Sequence, residues 1–212
     1  MNLWNNRNFR PMLLKEINDP FDSEDYIYEI KYDGIRALVF LNSNNIKIIS
    51  RNNKDLTSLF PELQSLKTLV KDNTIFDGEI IIMDKNGPSF SKLQERIHLK
   101  DKTKIKMNSE NNPVLFVAFD ILYKNKNLID LTVLERKKIL DNYIENEIFI
   151  KSKIFYEGKK LFESVKKNNL EGIVAKKKNT KYKINKRSFD WVKIKNIKDD
   201  DYFIGRSGRA HV

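Results

Sequence analysis

The chain has 212 residues, 40 Lys and Arg against 29 Asp and Glu for a net charge of +11, and 40% hydrophobic side chains. That apolar fraction fills the core of one generous domain and argues against a disordered chain, while the positive balance favours a polyanionic partner. Cysteine is absent and only His98 and His211 are present, so disulfides, thiolate catalysis and Cys-ligated zinc are excluded and a His-rich metal site is disfavoured.

The first residues, MNLWNNRNFRPM, lack the apolar core of a signal peptide, and no stretch approaches a membrane span in length. A cytoplasmic protein is the simplest expectation. YIYEIKYDGIRALVFL (26–41) and NIKIIS (45–50) are β-rich runs separated by a hairpin-like NSNN. Leu56, Leu59, Leu63, Leu66 and Val70 then recur at roughly helical spacing, with Pro61 suited to a first helical turn. TIFDGEIIIMD (74–84) reads as strand, KNGP as a turn, FSKLQERIHLK (90–100) as a short helix and DKTKIKMNSENN (101–112) as a polar connector.

PVLFVAFDILYKNKNLID (113–130) reads as a second apolar strand with an Asn-containing turn. LTVLERKKILDNYI (131–144) follows as a helix, with Thr132 and Glu135 in capping-box register. EGKKLFESVKKNN (157–169) is an amphipathic helix, and LEGIVAKKKN, KYKINKRSF and DWVKIKNI read as three short strands. Residues 151–200 hold 16 basic and 6 acidic side chains, nearly all of the net charge. The alternation of strands and helices predicts an α+β domain with a twisted antiparallel core.

Strand periodicity puts Glu29, Lys31 and Asp33 on one face, which fits either a solvent-facing edge or a chemical site. For Lys31 to act as a nucleophile its amine must be deprotonated, and a drop of about three units from ~10.4 requires roughly 4 kcal/mol from positive neighbours and desolvation. Lys193 and Lys195, two apart in WVKIK, could be those neighbours or the wet face of an edge strand. Gly34 allows a turn or a close backbone approach, and Arg36 offers a bidentate phosphate donor. Acids beside apolar strand in FDGE (76–79), FD (119–120) and at Glu171 need partners, since buried carboxylates are costly alone.

In order, KYDGIR, FDGE, LFVAFD with its Phe119, EGIVAKK and WVKIK resemble the nucleotidyltransferase motifs of ATP-dependent DNA ligases, in particular the bacterial LigD-like type. RPMLLKEI and SRNNKDLTSLFPEL fit the same family, so the resemblance spans about Arg10 to Lys195. It implies an α+β, ATP-grasp-like DNA ligase catalytic domain over 1–197, with twisted antiparallel sheets and flanking helices. The tail 198–212 would be a remnant of the linker to an OB-fold domain that this family ordinarily carries next, or that a separate partner supplies.

The resemblance assigns Lys31 as the nucleophile that takes AMP from ATP, with Lys193 and Lys195 at the α-phosphate. Glu29 and the Ile30 backbone meet the adenine edge, and Asp33 and Gly34 shape the nucleotide loop. Arg36 lies near the ribose and nick terminus, Arg51 at nucleotide or nick phosphate, and Lys176 at phosphate. Glu79 binds the ribose and with Glu171 stands as a ligand for Mg²⁺ or Mn²⁺, while Phe119 stacks on adenine. Where the family has glycine after Arg-Asn this chain has Asn53, a residue that tolerates the left-handed turn. The implied partner is nicked double-stranded DNA, met by a monomer through its backbone. RNA ligation, guanylyl transfer of the capping type and noncatalytic nucleic-acid binding remain alternatives; a P-loop enzyme is disfavoured because no GxxxxGK[ST] segment exists.

Overall fold

A computed structural model describes residues 2–85 and 87–196. Two sheets form the domain. The first runs β1 (Leu13–Glu16), β10 (Arg187–Lys195), β9 (Gly172–Lys177), β2 (Tyr26–Lys31) in spatial order. The second runs β4 (Ile46–Ser50), β3 (Ile35–Leu41), β5 (Thr74–Asp84), β7 (Val114–Lys124), β8 (Phe149–Lys151), with β6 (Gly87–Pro88) paired to β5. Most pairings are antiparallel, as expected, but β1–β10 and β7–β8 are parallel.

The run 26–41 does not form one strand. It breaks at Tyr32–Gly34, so β2 lies in the first sheet and β3 in the second, where β3 pairs with β4 in the expected hairpin. Gly34 is required there by contact with protein: a Cβ would run into the Ile80 carbonyl oxygen and the side chains of Ile81 and Glu79. KYDG is thus the crossing between sheets. Asp33, past the end of β2, is exposed and leaves the strand face that Glu29 and Lys31 share.

Apolar side chains fill three layers. Ile27, Leu38, Phe40, Ile75, Leu122 and Trp191 pack between the sheets together with Leu3, Phe9 and Met12 of the N-terminal segment. Leu161, Phe162 and Val165 of α4 (Gly158–Lys167) cover the outer face of the first sheet against Tyr28, Ile173 and Ile194. Phe60, Leu63, Leu66 and Leu93 cover the second sheet against Val39, Phe76 and Phe116. Leu93 lies on α1 (Phe90–Ile97).

Several expected elements differ in kind. The Leu-rich run forms two 3₁₀ segments, Thr57–Leu59 and Pro61–Leu69, in place of an α-helix. Its deepest residues, Phe60, Leu63 and Leu66, recur at strict threes, the period at which 3₁₀ side chains eclipse. The polar connector contains α2 (Lys102–Asn111), capped by Asp101 accepting from the Lys104 N–H at 2.8 Å and anchored by Ile105 alone. α3 (Val133–Leu140) starts on the expected Thr132–Glu135 capping box. KYKINKRSF and DWVKIKNI yield one strand, since residues 181–186 are irregular chain with a turn at Ile184–Asn185, where Asn185 takes φ 59°. The expected tail 198–212 lies outside the described residues.

Candidate active site

The cross-strand register collects the motif lysines on one face. Lys31 pairs with Gly172, which pairs with Lys195; Glu29 pairs with Val174, which pairs with Lys193; Ile27 pairs with Lys176, which pairs with Trp191. Directly opposed residues share a face of a sheet, so all these side chains share the inter-sheet face that carries Ile27 and Trp191. Lys31 and Lys195 lie two strands apart, about 10 Å between backbones. Gly172 separates them with no side chain. Its φ of +153° and the crowding of a built Cβ by the Ile194 carbonyl oxygen reserve the position for glycine.

The cleft above this floor is lined by Glu29, Lys31, Arg36, Glu79, Phe119 and Trp191, and it opens toward Arg51, Phe90 and Glu171. Lys31 ion-pairs with Glu171. Its ion-pair partner is therefore an acid. Lys193 and Lys195 are both taken by Glu16 of β1, at 2.8 and 3.4 Å, and Lys193 holds the Glu16 carboxyl below its ordinary range against the pull of its partial desolvation.

Glu79 pairs with Arg36 across β5 and β3, but its carboxyl group makes no side-chain hydrogen bond or ion pair among the described residues. Burial pushes its carboxyl from 4.5 to about 8, against the opposing influence of Arg36 and Lys31. Arg36 is held elsewhere: it donates to both oxygens of buried Asp77 at 3.0 and 2.7 Å, and Tyr182 donates to the same carboxylate at 2.6 Å. Burial would lower the guanidinium, but Asp77 reverses this and raises it further. Burial and Asp77 also raise the Tyr182 phenol well above its ordinary value, fixing it as a donor.

Phe119 projects because β7 bulges there: Gly78 pairs with Ala118 and Asp77 with Asp120, leaving Phe119 between them. The Arg36 guanidinium sits 5.2 Å from its ring centre, and the Lys176 ammonium 4.7 Å. Lys176 is buried. It donates to the Phe119 carbonyl at 3.2 Å and pairs with Glu29 at 3.0 Å, placing it beneath the aromatic ring. Burial lowers it to about 8, with Lys137 pushing the same way and Glu29 opposing. Glu29 is itself buried between Lys176 and Lys137, the latter at 2.7 Å from α3. Asn53 adopts φ 62°, so the turn after β4 is kept without glycine, and exposed Arg51 is tied to β3 by donating its backbone N–H to the Arg36 carbonyl.

Sequence reasoning did not single out Glu16, Asp77, Lys137, Tyr182 or Trp191. Glu16, Asp77 and Trp191 lay inside quoted motifs, whereas Lys137 and Tyr182 carry no local signal; only the packing of segments far apart in the chain brings them in. Among the described residues no three His, Asp or Glu side chains cluster as a metal cage. Glu171 does keep one carboxylate oxygen buried without a hydrogen-bond partner, and Glu79 lies in the same cleft. Two carboxyl groups facing one cleft are a donor set that fits Mg²⁺, which takes few protein ligands.

Fold and cleft together define an α+β domain built around an inter-sheet ligand site with a lysine on its floor, carboxyl groups at its mouth and an aromatic shelf. The family model described as ATP dependent DNA ligase domain matches residues 11–195, and the chain belongs to that family. The SPbeta prophage-derived DNA ligase-like protein LigB of Bacillus subtilis (strain 168) is 38% identical over 190 residues, covering 88% of this chain and 67% of that protein. The bifunctional non-homologous end joining protein LigD of the same organism is 36% identical over 194 residues, covering 82% of this chain and 32% of LigD. A mycobacterial DNA ligase D complexed with ATP and MES superposes with a TM-score of 0.76 at 26% identity, over 90% of this chain and 61% of that one. The chain thus spans between a third and two thirds of these relatives' length.

Proposed function

We propose that this chain carries out ATP-dependent ligation of nicked double-stranded DNA, serving DNA repair. The Lys31 amine attacks the α-phosphorus of ATP, the bond to the β-phosphate oxygen breaks, and pyrophosphate leaves as a lysyl-AMP phosphoramidate forms. The 5′-phosphate at a nick then attacks the same phosphorus and releases Lys31. Finally the 3′-hydroxyl attacks the activated 5′-phosphate, AMP departs, and the strand is sealed.

The observation that carries this reading is the placement of Lys31 at the floor of a cleft with Glu79, Glu171 and Phe119, two strands from Lys195. Lys31 must lose its proton before attack, and Glu171 is the carboxylate in place to receive it. Lys193 and Lys195 neutralise charge building on the α-phosphoryl oxygens once the triphosphate replaces Glu16 as their partner. Phe119 offers a face on which a base stacks, Glu29 and the Ile30 backbone address its edge, and Glu79 meets the ribose. Arg36, gripped by Asp77, braces the aromatic shelf. Glu171 and Glu79 would be the residues to hold Mg²⁺ or Mn²⁺, which when bound would supply charge neutralisation on the phosphates.

The test is incubation with α-labelled ATP and Mg²⁺ followed by denaturing electrophoresis. Covalent label is expected on the wild type and absent from Lys31→Ala, and nicked DNA should chase it. No label on protein freed of bound AMP, or label that survives Lys31→Ala, overturns the reading.

A further inference from the structure

Glu29 has an unusual setting for a cleft residue. It is 2% exposed, and two ammonium groups converge on its Oε1: Lys137 at 2.7 Å and Lys176 at 3.0 Å, both also buried. The two arrive from different layers, since Lys176 belongs to β9 beside β2, whereas Lys137 belongs to α3, which packs on β7 of the second sheet. Other charged or titratable groups near this cluster are Asp120 of β7, Arg136 of α3, and Tyr32 just beyond β2. Asp120 is already consumed by Arg136 at 2.7 and 2.9 Å. Lys137 does not line the cleft, while Glu29 does.

We propose that Lys137 is a positioning residue that sets purine selectivity by clamping the Glu29 carboxylate, jointly with Lys176, as a fixed hydrogen-bond acceptor at the base edge. The inference rests on the reading of this cleft as a nucleotide site. An ionised carboxylate can only accept. Adenine presents an exocyclic amine donor at position 6, where guanine presents an acceptor oxygen. A carboxylate held in one direction therefore gains a bond from adenine and meets guanine with unpaired, repelling oxygens, the kind of mismatch that discriminates strongly. Charge by itself is not the contribution of Lys137, because Lys176 remains; direction is. Without the hold from α3, Glu29 can turn toward Lys176 and away from the base.

The experiment measures ATP and GTP affinity calorimetrically for the full chain, with covalent labelling from each nucleotide in parallel, for wild type, Lys137→Met, Lys137→Arg and Glu29→Gln. Lys137→Met should lower the ATP-to-GTP affinity ratio about tenfold, mainly through weaker ATP binding, and Lys137→Arg should restore most of it. A ratio unchanged in Lys137→Met, or equal weakening of both nucleotides, overturns the proposal and leaves Lys137 a structural pair. Should Lys137→Met fail to fold, Glu29→Gln decides, because an amide can accept or donate; an unchanged ratio there is equally fatal. Wild type that labels from ATP through Lys31 but binds both purines alike sinks this inference and leaves the ligase reading standing. Wild type that binds neither and takes no label removes both.

Discussion

Glu79→Gln tests whether the environment of the cleft has been read correctly. Burial raises the Glu79 carboxyl from 4.5 to about 8 in the folded protein, whereas the unfolded chain titrates near the ordinary value. The folded state therefore binds this proton more tightly. Below the unfolded value both states are protonated and nothing is lost; as pH rises from about 4.5 toward 8 the unfolded state ionises first and stability falls. Linkage gives a ceiling of about 3 kcal/mol at pH 7, from 2.5 pH units at ~1.36 kcal/mol each. Glu79 is only partly buried, and solvent screening reduces this to roughly half. Gln keeps the shape and cannot ionise. Its melting temperature should match wild type at pH 4.5 and exceed it by about 3–6 °C at pH 7, at ~2–4 °C per kcal/mol for a domain of this size. Paired thermal melts across pH 4.5–8 read this directly. A difference that does not grow with pH, or a glutamine variant that is less stable throughout, refutes the reasoning.

Gly172→Ala should cost about 2–3 kcal/mol in urea unfolding, because it combines positive φ with a collision against the Ile194 carbonyl, and a loss under 1 kcal/mol would mean that the β9–β10 approach yields easily. Arg136→Leu strands Asp120 as a buried unpaired charge and should lose about 3–5 kcal/mol. Adding Asp120→Leu should recover most of that loss, a double-mutant result that an apolar role for Arg136 would not produce. Glu16→Ala frees Lys193 and Lys195 from a half-exposed pair, so the KM for ATP in self-labelling should fall about two- to fivefold. An unchanged or higher KM would show that Glu16 orients these lysines instead of competing with phosphate.

Local signals in the chain were faithful where the determining interaction was local. The Thr132–Glu135 capping box formed as its spacing required, because both partners lie within one helical turn. Asn53 took the left-handed turn its side chain tolerates. α2 was hidden because a single buried Ile105 leaves almost no periodic signal, although Asp101 three residues before Lys104 carried the cap. The 3₁₀ segments were misread because apolar spacings of three and four are nearly indistinguishable over so short a run.

By itself the sequence determined which residues could carry chemistry and, through the period of two, that Glu29 shares a face with Lys31 and Lys193 with Lys195. It could not determine what stands beside them. Only the tertiary structure sent the chain across from one sheet to the other at Tyr32–Gly34, laid β9 between β2 and β10, and so set Lys31 opposite bare Gly172 with Lys195 beyond. It also gave Lys31 an acidic partner in place of the expected lysines, and enlisted Glu16 and Lys137, whose own stretches of sequence give no sign of the partners they take. The reason is physical: backbone alternation is fixed residue by residue, whereas strand neighbours and ion-pair partners are chosen by burial and register between segments far apart in the chain.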